Sequence, residues 1–417
     1  MPAAAGTPRA GGVTKARALA SAPVAVGDRE RSFPLGAAVT LQELDADPHP
    51  INARLREYEP VSWLPSLDGW LVTRHDLALQ AMRDAATFTV DDPRFSTAQV
   101  IGPSMLSLDG DAHDRHRAPF AGPFRPGAVN ERFADVARAE ALRLADASAA
   151  APDRTAELRR AFAGPMAATI VTRALGLGGD EVADVLRWYD AIVASVTSIT
   201  AGDGPTGEGA TAFANLRERL EDVIADGDQG SLLAAAAAAD TPLSHDQIAS
   251  NAAVLLFGGI ETTEGMIANA LLMLLEHPDA LAAARADPAR LDGAIDESLR
   301  LEPAAAVIDR YATADVTLGT AQITKGDLVR LSLAAANRDP AVFASPDAFD
   351  VTRSRRGNLA FAQGPHVCVG VHLARLEART AINALLARLP QLRPDPDRPA
   401  TVRGLVFRKP PRLDVRF

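Results

Sequence analysis

A mainly α-helical chain with small β-sheets, folded as one large domain, is what this sequence predicts. Three observations lead there. Ala, Leu, Arg and Glu recur with helical patterning through residues 130–300. The strand-like pieces are short. No Gly/Ser-rich or Pro-rich linker divides the 417 residues, although length alone would allow two or three domains.

Taken in chain order, residues 1–30 read as a flexible tail and 31–417 as the domain. Arg9, Lys15 and Arg17 precede an apolar stretch broken by Pro23, which is too short for a signal peptide. Residues 60–63 and 70–73 read as early strands. Residues 202–209 (GDGPTGEG) separate two helical segments as a mobile surface loop, and the alanine run 234–239 is compatible with helix. Ser244-His245-Asp246-Gln247 fits a capping box, after which helical patterning runs to His277 and stops at Pro278. Such a helix would be ~48 Å long, enough to cross the domain. Further strands are expected within 316–329 and 405–417. No apolar run approaches the ~18 residues of a membrane span. A net charge of -10 and a pI near 5.4 argue against a nucleic-acid binder, and one cysteine excludes an internal disulfide framework.

The functional reading turns on residues 361–375, FAQGPHVCVGVHLAR, which hold that cysteine. Cys368 sits between Gly364 and Gly370, just before a helix start at Val371. Glycine there lets the main chain approach a flat ligand, and a helix start lowers a thiol's pKa through its dipole and free N–H groups. Phe361, seven residues earlier, is placed to shield a sulfur. A lone cysteine is most often a small buried hydrophobe, but these surroundings suit a thiolate that serves as an axial metal ligand. The pattern Phe-x-x-Gly-x-His-x-Cys-x-Gly-x-x-Leu-Ala resembles the haem-ligand loop of the cytochrome P450 family, the haem-thiolate monooxygenases, here of a soluble bacterial type. One departure is Ala362, where many members carry glycine; a single methyl reads as a mild change.

The resemblance extends over about residues 50–417. Mid-way along the long helix, Phe257-Gly258-Gly259-Ile260-Glu261-Thr262-Thr263 resembles the family's Ala/Gly-Gly-x-Asp/Glu-Thr motif, with Gly258 in the alanine position. Two helical glycines cost ~1 kcal/mol each relative to alanine, which a macrocycle packed on the helix would offset. Taken alone, the pair could equally ease helix contact. Thr262 stands four residues after Gly258, so its hydroxyl can bond back to that carbonyl and open a groove. By resemblance, Glu261 and Thr262 deliver protons to iron-bound dioxygen. Glu297 and Arg300, i and i+3 on one helix face, match the family's buried structural pair, with Arg353 as the third member. His113 and Arg117, spaced i, i+4, match a haem propionate site, and Arg310 and His366 match two more.

Five arginines (353, 355, 356, 375 and 379) against one acid, Glu377, give residues 353–379 a local excess of positive charge. It is expected either to be a solvated face or to dock an acidic electron donor. The resemblance thus implies an enzyme, a haem-dependent monooxygenase. It would bind haem b through Cys368, with Gly258, Phe361 and Gly370 against the cofactor and O2 as co-substrate. Electrons from NAD(P)H would arrive through ferredoxin reductase and ferredoxin or an equivalent donor. The protein is expected to be cytoplasmic and monomeric, with a small lipophilic substrate of secondary metabolism. Residues 88–105, Met166, 188–199, 304–308 and 405–407 are its expected pocket walls. A peroxide-driven peroxygenase, a non-catalytic haem sensor or carrier, and a cysteine hydrolase are the rival readings. The Glu261–Thr262 pair speaks against the first two. Against the third, His366 lies only two residues from the cysteine and already fits the loop pattern.

Overall fold

The computed structural model describes residues 26–201, 203–226, 231–238 and 243–417. Its axis is the central helix His245–Glu276. Ser244 Oγ accepts from Gln247 N while the Gln247 side chain accepts from Ser244 N, the reciprocal box expected from the sequence. His277, followed by Pro278, ends the helix. Buried residues occur on every face, as suits a helix in the middle of a large core. Its few polar side chains fasten neighbouring segments. Ser250 Oγ donates to Ile101 O at 2.7 Å, and Asn251 Oδ1 accepts from Met105 N at 2.8 Å. Asn269 Nδ2 donates to the carbonyls of Glu302 at 3.0 Å and Arg408 at 2.9 Å. The helices Gly164–Ala174, Gly207–Asp226, Pro288–Leu301 and Val371–Arg388 pack around it.

The early strands form an antiparallel pair, Val61–Leu64 with Gly69–Val72. Leu328–Ser332 runs parallel to the second of these, Val307–Ala312 antiparallel to Leu328–Ser332, and Phe88–Thr89 closes the far edge. Asp309 and Arg330 face each other across this sheet, bonded at 2.7 and 2.8 Å. Residues 316–329 make a hairpin, Val316–Leu318 with Ala321–Ile323, before that sheet strand begins. Residues 405–417 yield less strand than expected: only Asp414–Arg416 pairs continuously, because Pro410 and Pro411 interrupt the ladder.

Two boundaries differ from expectation. Residues 1–25 of the expected tail lie outside the described residues, but 26–30 belong to the helix Val26–Ser32. Arg29 is buried there, 2.9 Å from Asp327 and stacked 4.4 Å from the Trp63 ring centre. Gly207 and Gly209 are not loop but the start of the helix Gly207–Asp226, while residue 202 lies outside the described residues. Residue 239 of the alanine run also lies outside them, and Leu232–Ala237 is helical. No described helix is long and apolar enough to cross a membrane.

The helix Pro288–Leu301 carries the expected ion pair. Arg300 is fully buried and grips both Glu297 oxygens at 2.8 Å, and Arg353 Nε reaches Glu297 Oε1, also at 2.8 Å. Arg300 also donates to the carbonyls of Asn337, Pro346 and Ala348. Burial opposes the charge of Glu297, but bonds from Arg300, Arg353 and the Asp350 amide outweigh it and hold the carboxyl below its ordinary value. This contribution to stability is therefore present at neutral pH and is lost as the pH falls through the folded pKa. Arg300→Met should leave Glu297 with Arg353 as its one cation and strand three carbonyls, costing ~3–5 kcal/mol in a denaturant titration; a loss below ~1 kcal/mol would contradict a structural role.

Candidate active site

The cysteine loop is shaped by its own backbone. Cys368 N donates to Phe361 O at 2.9 Å, and Val367 N to Gly364 O at 3.1 Å. Gly364 has φ +77°, and a Cβ there would lie 2.4 Å from Met82 O, so no other residue fits. Asn337 Oδ1 accepts from Leu359 N at 2.7 Å, tying the loop to the segment that Arg300 holds. The Phe361 ring lies 5.0 Å from the Arg375 guanidinium. Ala362 departs from its mild reading: its φ is +57°, a left-handed conformation that side chains disfavour.

Cys368 is a free, partly exposed thiol. The expected lowering of its pKa is not what its surroundings produce. Burial pushes the thiol up, against the weaker opposing effects of the Gly370 N–H, Arg117 and Arg375. A bound metal cation deprotonates a coordinating thiol outright.

Around the loop lie cations and polar atoms without a matching anion. Arg310 is buried and donates to its neighbour's carbonyl, Asp309 O, at 2.8 Å; among the described residues no carboxylate lies within ion-pair distance of it, and burial pushes its pKa down to about 10. His113 Nε2 is buried with no hydrogen-bond partner, and burial together with the nearby His366 lowers its pKa. Its ring lies 4.5 Å from that of His366. Arg117 Nη2 reaches the loop at Val367 O, 2.6 Å away. His366 differs from the others: its Nε2 is bonded to Asp109 Oδ1 at 2.8 Å. Burial opposes the charge of Asp109, but bonds from His366, Thr89 and Val90 N keep its carboxyl well below the usual carboxylate range.

On the central helix the two glycines have different surroundings. A Cβ at Gly259 would meet Val171 at 3.1 Å, so this glycine serves helix packing; a Cβ at Gly258 would meet nothing within 4 Å. Thr262 Oγ1 donates to Gly258 O at 2.6 Å, the back-bond expected from the spacing. Gly258 thus fronts open space beside a hydroxyl. Of the expected pocket walls, residues 304–308 and 405–407 meet each other. Ala306 N donates to Val406 O at 2.8 Å, and Phe407 packs edge-on against Phe257, ring centres 5.4 Å apart.

The family model described as Cytochrome P450 matches residues 217–417. Cytochrome P450 monooxygenase PikC of Streptomyces venezuelae is 35% identical over 370 residues, 84% of this chain and 86% of that one. The chain belongs to the cytochrome P450 family. The 20-oxo-5-O-mycaminosyltylactone 23-monooxygenase of Streptomyces fradiae is 36% identical over 361 residues, 83% of each chain. Among solved structures, P450BioI in complex with hexadec-9Z-enoic acid ligated acyl carrier protein superposes with a TM-score of 0.81 at 28% identity, covering 91% of this chain and 100% of that one. This P450 is accordingly an oxidoreductase of the monooxygenase type, with haem iron and O2 as the family's cofactor and co-substrate.

The residues present fit a haem. Buried Arg310 and the orphaned His113 Nε2 suit propionate oxygens, Gly258 leaves room for a flat ring, and Cys368 is a free sulfur donor. What sequence reasoning missed is the company Glu261 keeps. Its carboxylate meets Lys409 Nζ at 2.7 Å and accepts from the Tyr189 hydroxyl. Those partners lie 148 and 72 residues away, so no local pattern reveals them. Asp109 was visible in the stretch before His113, but nothing local marks it as the partner of His366.

The expected charge excess of residues 353–379 is largely cancelled. Arg353 is held by Glu297, Arg355 and Arg375 by Asp296, and Arg379 lies 3.6 Å from Asp292. These acids come from the ion-pair helix, outside the window in which the charge was counted. The Ala362 conformation yields a prediction: Ala362→Gly should stabilise this P450 by ~1 kcal/mol in denaturant unfolding; destabilisation would mean that the methyl is needed for packing.

Proposed function

We propose that this P450 inserts one oxygen atom of O2 into a small lipophilic molecule, with two electrons from NAD(P)H relayed by ferredoxin reductase and a ferredoxin-type donor in the cytoplasm. The observation that carries the reading is a set of groups left open alongside the free thiol of the cysteine loop: Arg310 without an ion-paired carboxylate among the described residues, His113 Nε2 without a partner, and Gly258 facing open space. A haem with two propionates would satisfy all of them.

Cys368 Sγ is the iron ligand in this reading, and the Phe361 carbonyl fixes the loop by accepting the Cys368 N–H. Arg310 and Arg117 would neutralise the propionates, and His113 Nε2 would donate a hydrogen bond to one of them. His366 works from beside them, its ring oriented by Asp109. Bound through Cys368, the haem supplies oxygen activation. The chain's own task is to deliver protons: Thr262 Oγ1 holds one beside the Gly258 groove, and Glu261 replenishes it. Glu297, Arg300 and Arg353 hold the fold and touch no reacting atom. A surface hollow of about 270 Å³, bordered by Arg355, His372, Arg375 and Arg379 together with Asp292 and Asp296, adjoins the helix Val371–Arg388. Its place beside the cysteine loop, not a net positive charge, makes it the proposed face for the electron donor.

The small residues Ala304, Ala305 and Ala306 leave room for a bulky guest. The lactone in the name of the Streptomyces fradiae relative makes lactones the first substrate class to test. Titrating the ferric protein's Soret band with lactones, steroids, fatty acids and terpenoids should give a blue shift with one class. Cys368→Ala should abolish the thiolate-type spectrum with carbon monoxide, and its retention in that variant would overturn the ligand assignment. With the shifting compound as substrate, Thr262→Ala should lower product formed per NAD(P)H ~10-fold, with peroxide making up the difference. Unchanged coupling would remove Thr262 from the proton path.

A further inference from the structure

Glu261 is buried, and its carboxylate is occupied by Lys409 and Tyr189. The same Lys409 ammonium also donates to Glu264 Oε2, so one cation bridges two carboxylates spaced i, i+3 on the central helix. Glu264 is 2% exposed. From the other side Arg159 approaches it, Nε 3.3 Å from Oε1 and Nη2 3.4 Å from Oε2. Taking four charges out of water is costly, and apolar residues would pack the same space at no such cost. The arrangement therefore calls for a use beyond packing.

Glu264 is also the inner wall of a cavity of about 110 Å³ that Tyr189, Leu186 and Gly164 help to line. One water needs at least ~15 Å³, so this space holds more than one. Arg160 and Asp190, both more than half exposed and 3.7 Å apart, border the same cavity and mark its solvent end. Gly164 keeps the inner end open, since a Cβ there would come within 3.2 Å of Glu264 Oε1. The backbone just before it, Arg159–Ala163, is a π-helical turn, a widening of the kind that recurs at functional sites.

We infer that Glu264 and Lys409 carry protons from water in this cavity to Glu261, making the gap between Arg160 and Asp190 the proton inlet of the enzyme. This rests on the proposed role of Glu261. A hydronium in the cavity protonates Glu264 and leaves as water. Lys409 gives one ammonium proton to Glu261 Oε1 and recovers one from Glu264, so both groups return to their starting charge. The net change is one proton moved from solvent to Glu261. The Tyr189 hydroxyl, bonded to Oε2, leaves Oε1 as the receiving atom. Glu264, Lys409 and Tyr189 are positioning residues. Arg159, Arg160 and Asp190 are the other charged groups around the path.

The test uses the full-length, haem-loaded protein and begins without turnover. The infrared carboxylate band lost in Glu264→Gln is assigned to Glu264 and followed after rapid mixing into D2O. It should shift within the mixing time in the parent and at least tenfold more slowly in Leu186→Trp, which fills the cavity. Equal rates would overturn the inlet. Next, using the compound that shifts the Soret band, Glu264→Gln should lower product per NAD(P)H at least threefold and raise the solvent deuterium isotope effect, with Glu264→Asp restoring part of the loss. Unaltered coupling and isotope effect would overturn the relay. Each variant should keep the parent's thiolate-type spectrum, which separates loss of proton supply from loss of fold. A parent that never turns over would count against the monooxygenase reading instead, and the exchange rates would still decide the inlet.

Discussion

A buried carboxylate must collect enough partners to stay charged, and Glu297 does so by drawing in chain that lies more than fifty residues away. Arg300 and Arg353 close on it, and Arg300 spends its remaining donors on three carbonyls of the segment leading to the cysteine loop. Asn337, whose own carbonyl Arg300 holds, then fixes Leu359 at the loop's start. The position of Cys368 thus depends on an interaction that never touches the chemistry. The other wall of the site is set independently by the central helix, whose burial on every side leaves it little freedom to shift.

Where the protein's own groups satisfy one another, the site is rigid; where they do not, it is ready for a guest. Asp109 is an instructive case. It binds His366, Thr89 and the Val90 amide, and so joins the cysteine loop to the edge strand and to the start of the His113 helix. Arg310, a few residues along a neighbouring strand, feels the charges of Asp109 and Asp309 but forms an ion pair with neither among the described residues. The contrast between a satisfied histidine and an unsatisfied arginine distinguishes residues that shape the cradle from residues that would grip its contents.

Features encoded locally were legible in the sequence. The capping box, the Thr262 back-bond and the Glu297–Arg300 spacing each span a few residues, and each appears in the structure as read. The cysteine motif located the loop and, with the central-helix motif, the fold. What failed had non-local causes. The arginine patch lost its charge to Asp292, Asp296 and Glu297 on another helix. Burial of the thiol outweighs the lowering by the Gly370 N–H at the helix start. Ala362 looked harmless because composition does not reveal a backbone angle. The late strand came out shorter than expected because Pro410 and Pro411 interrupt its ladder.

Lys409 lies 145 residues beyond Glu264, one of the two glutamates it neutralises. A ribosome adds ~5–20 residues each second, so Glu261 and Glu264 wait on the order of 10 s for Lys409 to be made. Until then Glu264 has Arg159 alone for a cation, and Glu261 lacks the ammonium that neutralises it. Full pairing of these acids thus waits for a residue far downstream of the helix that carries them.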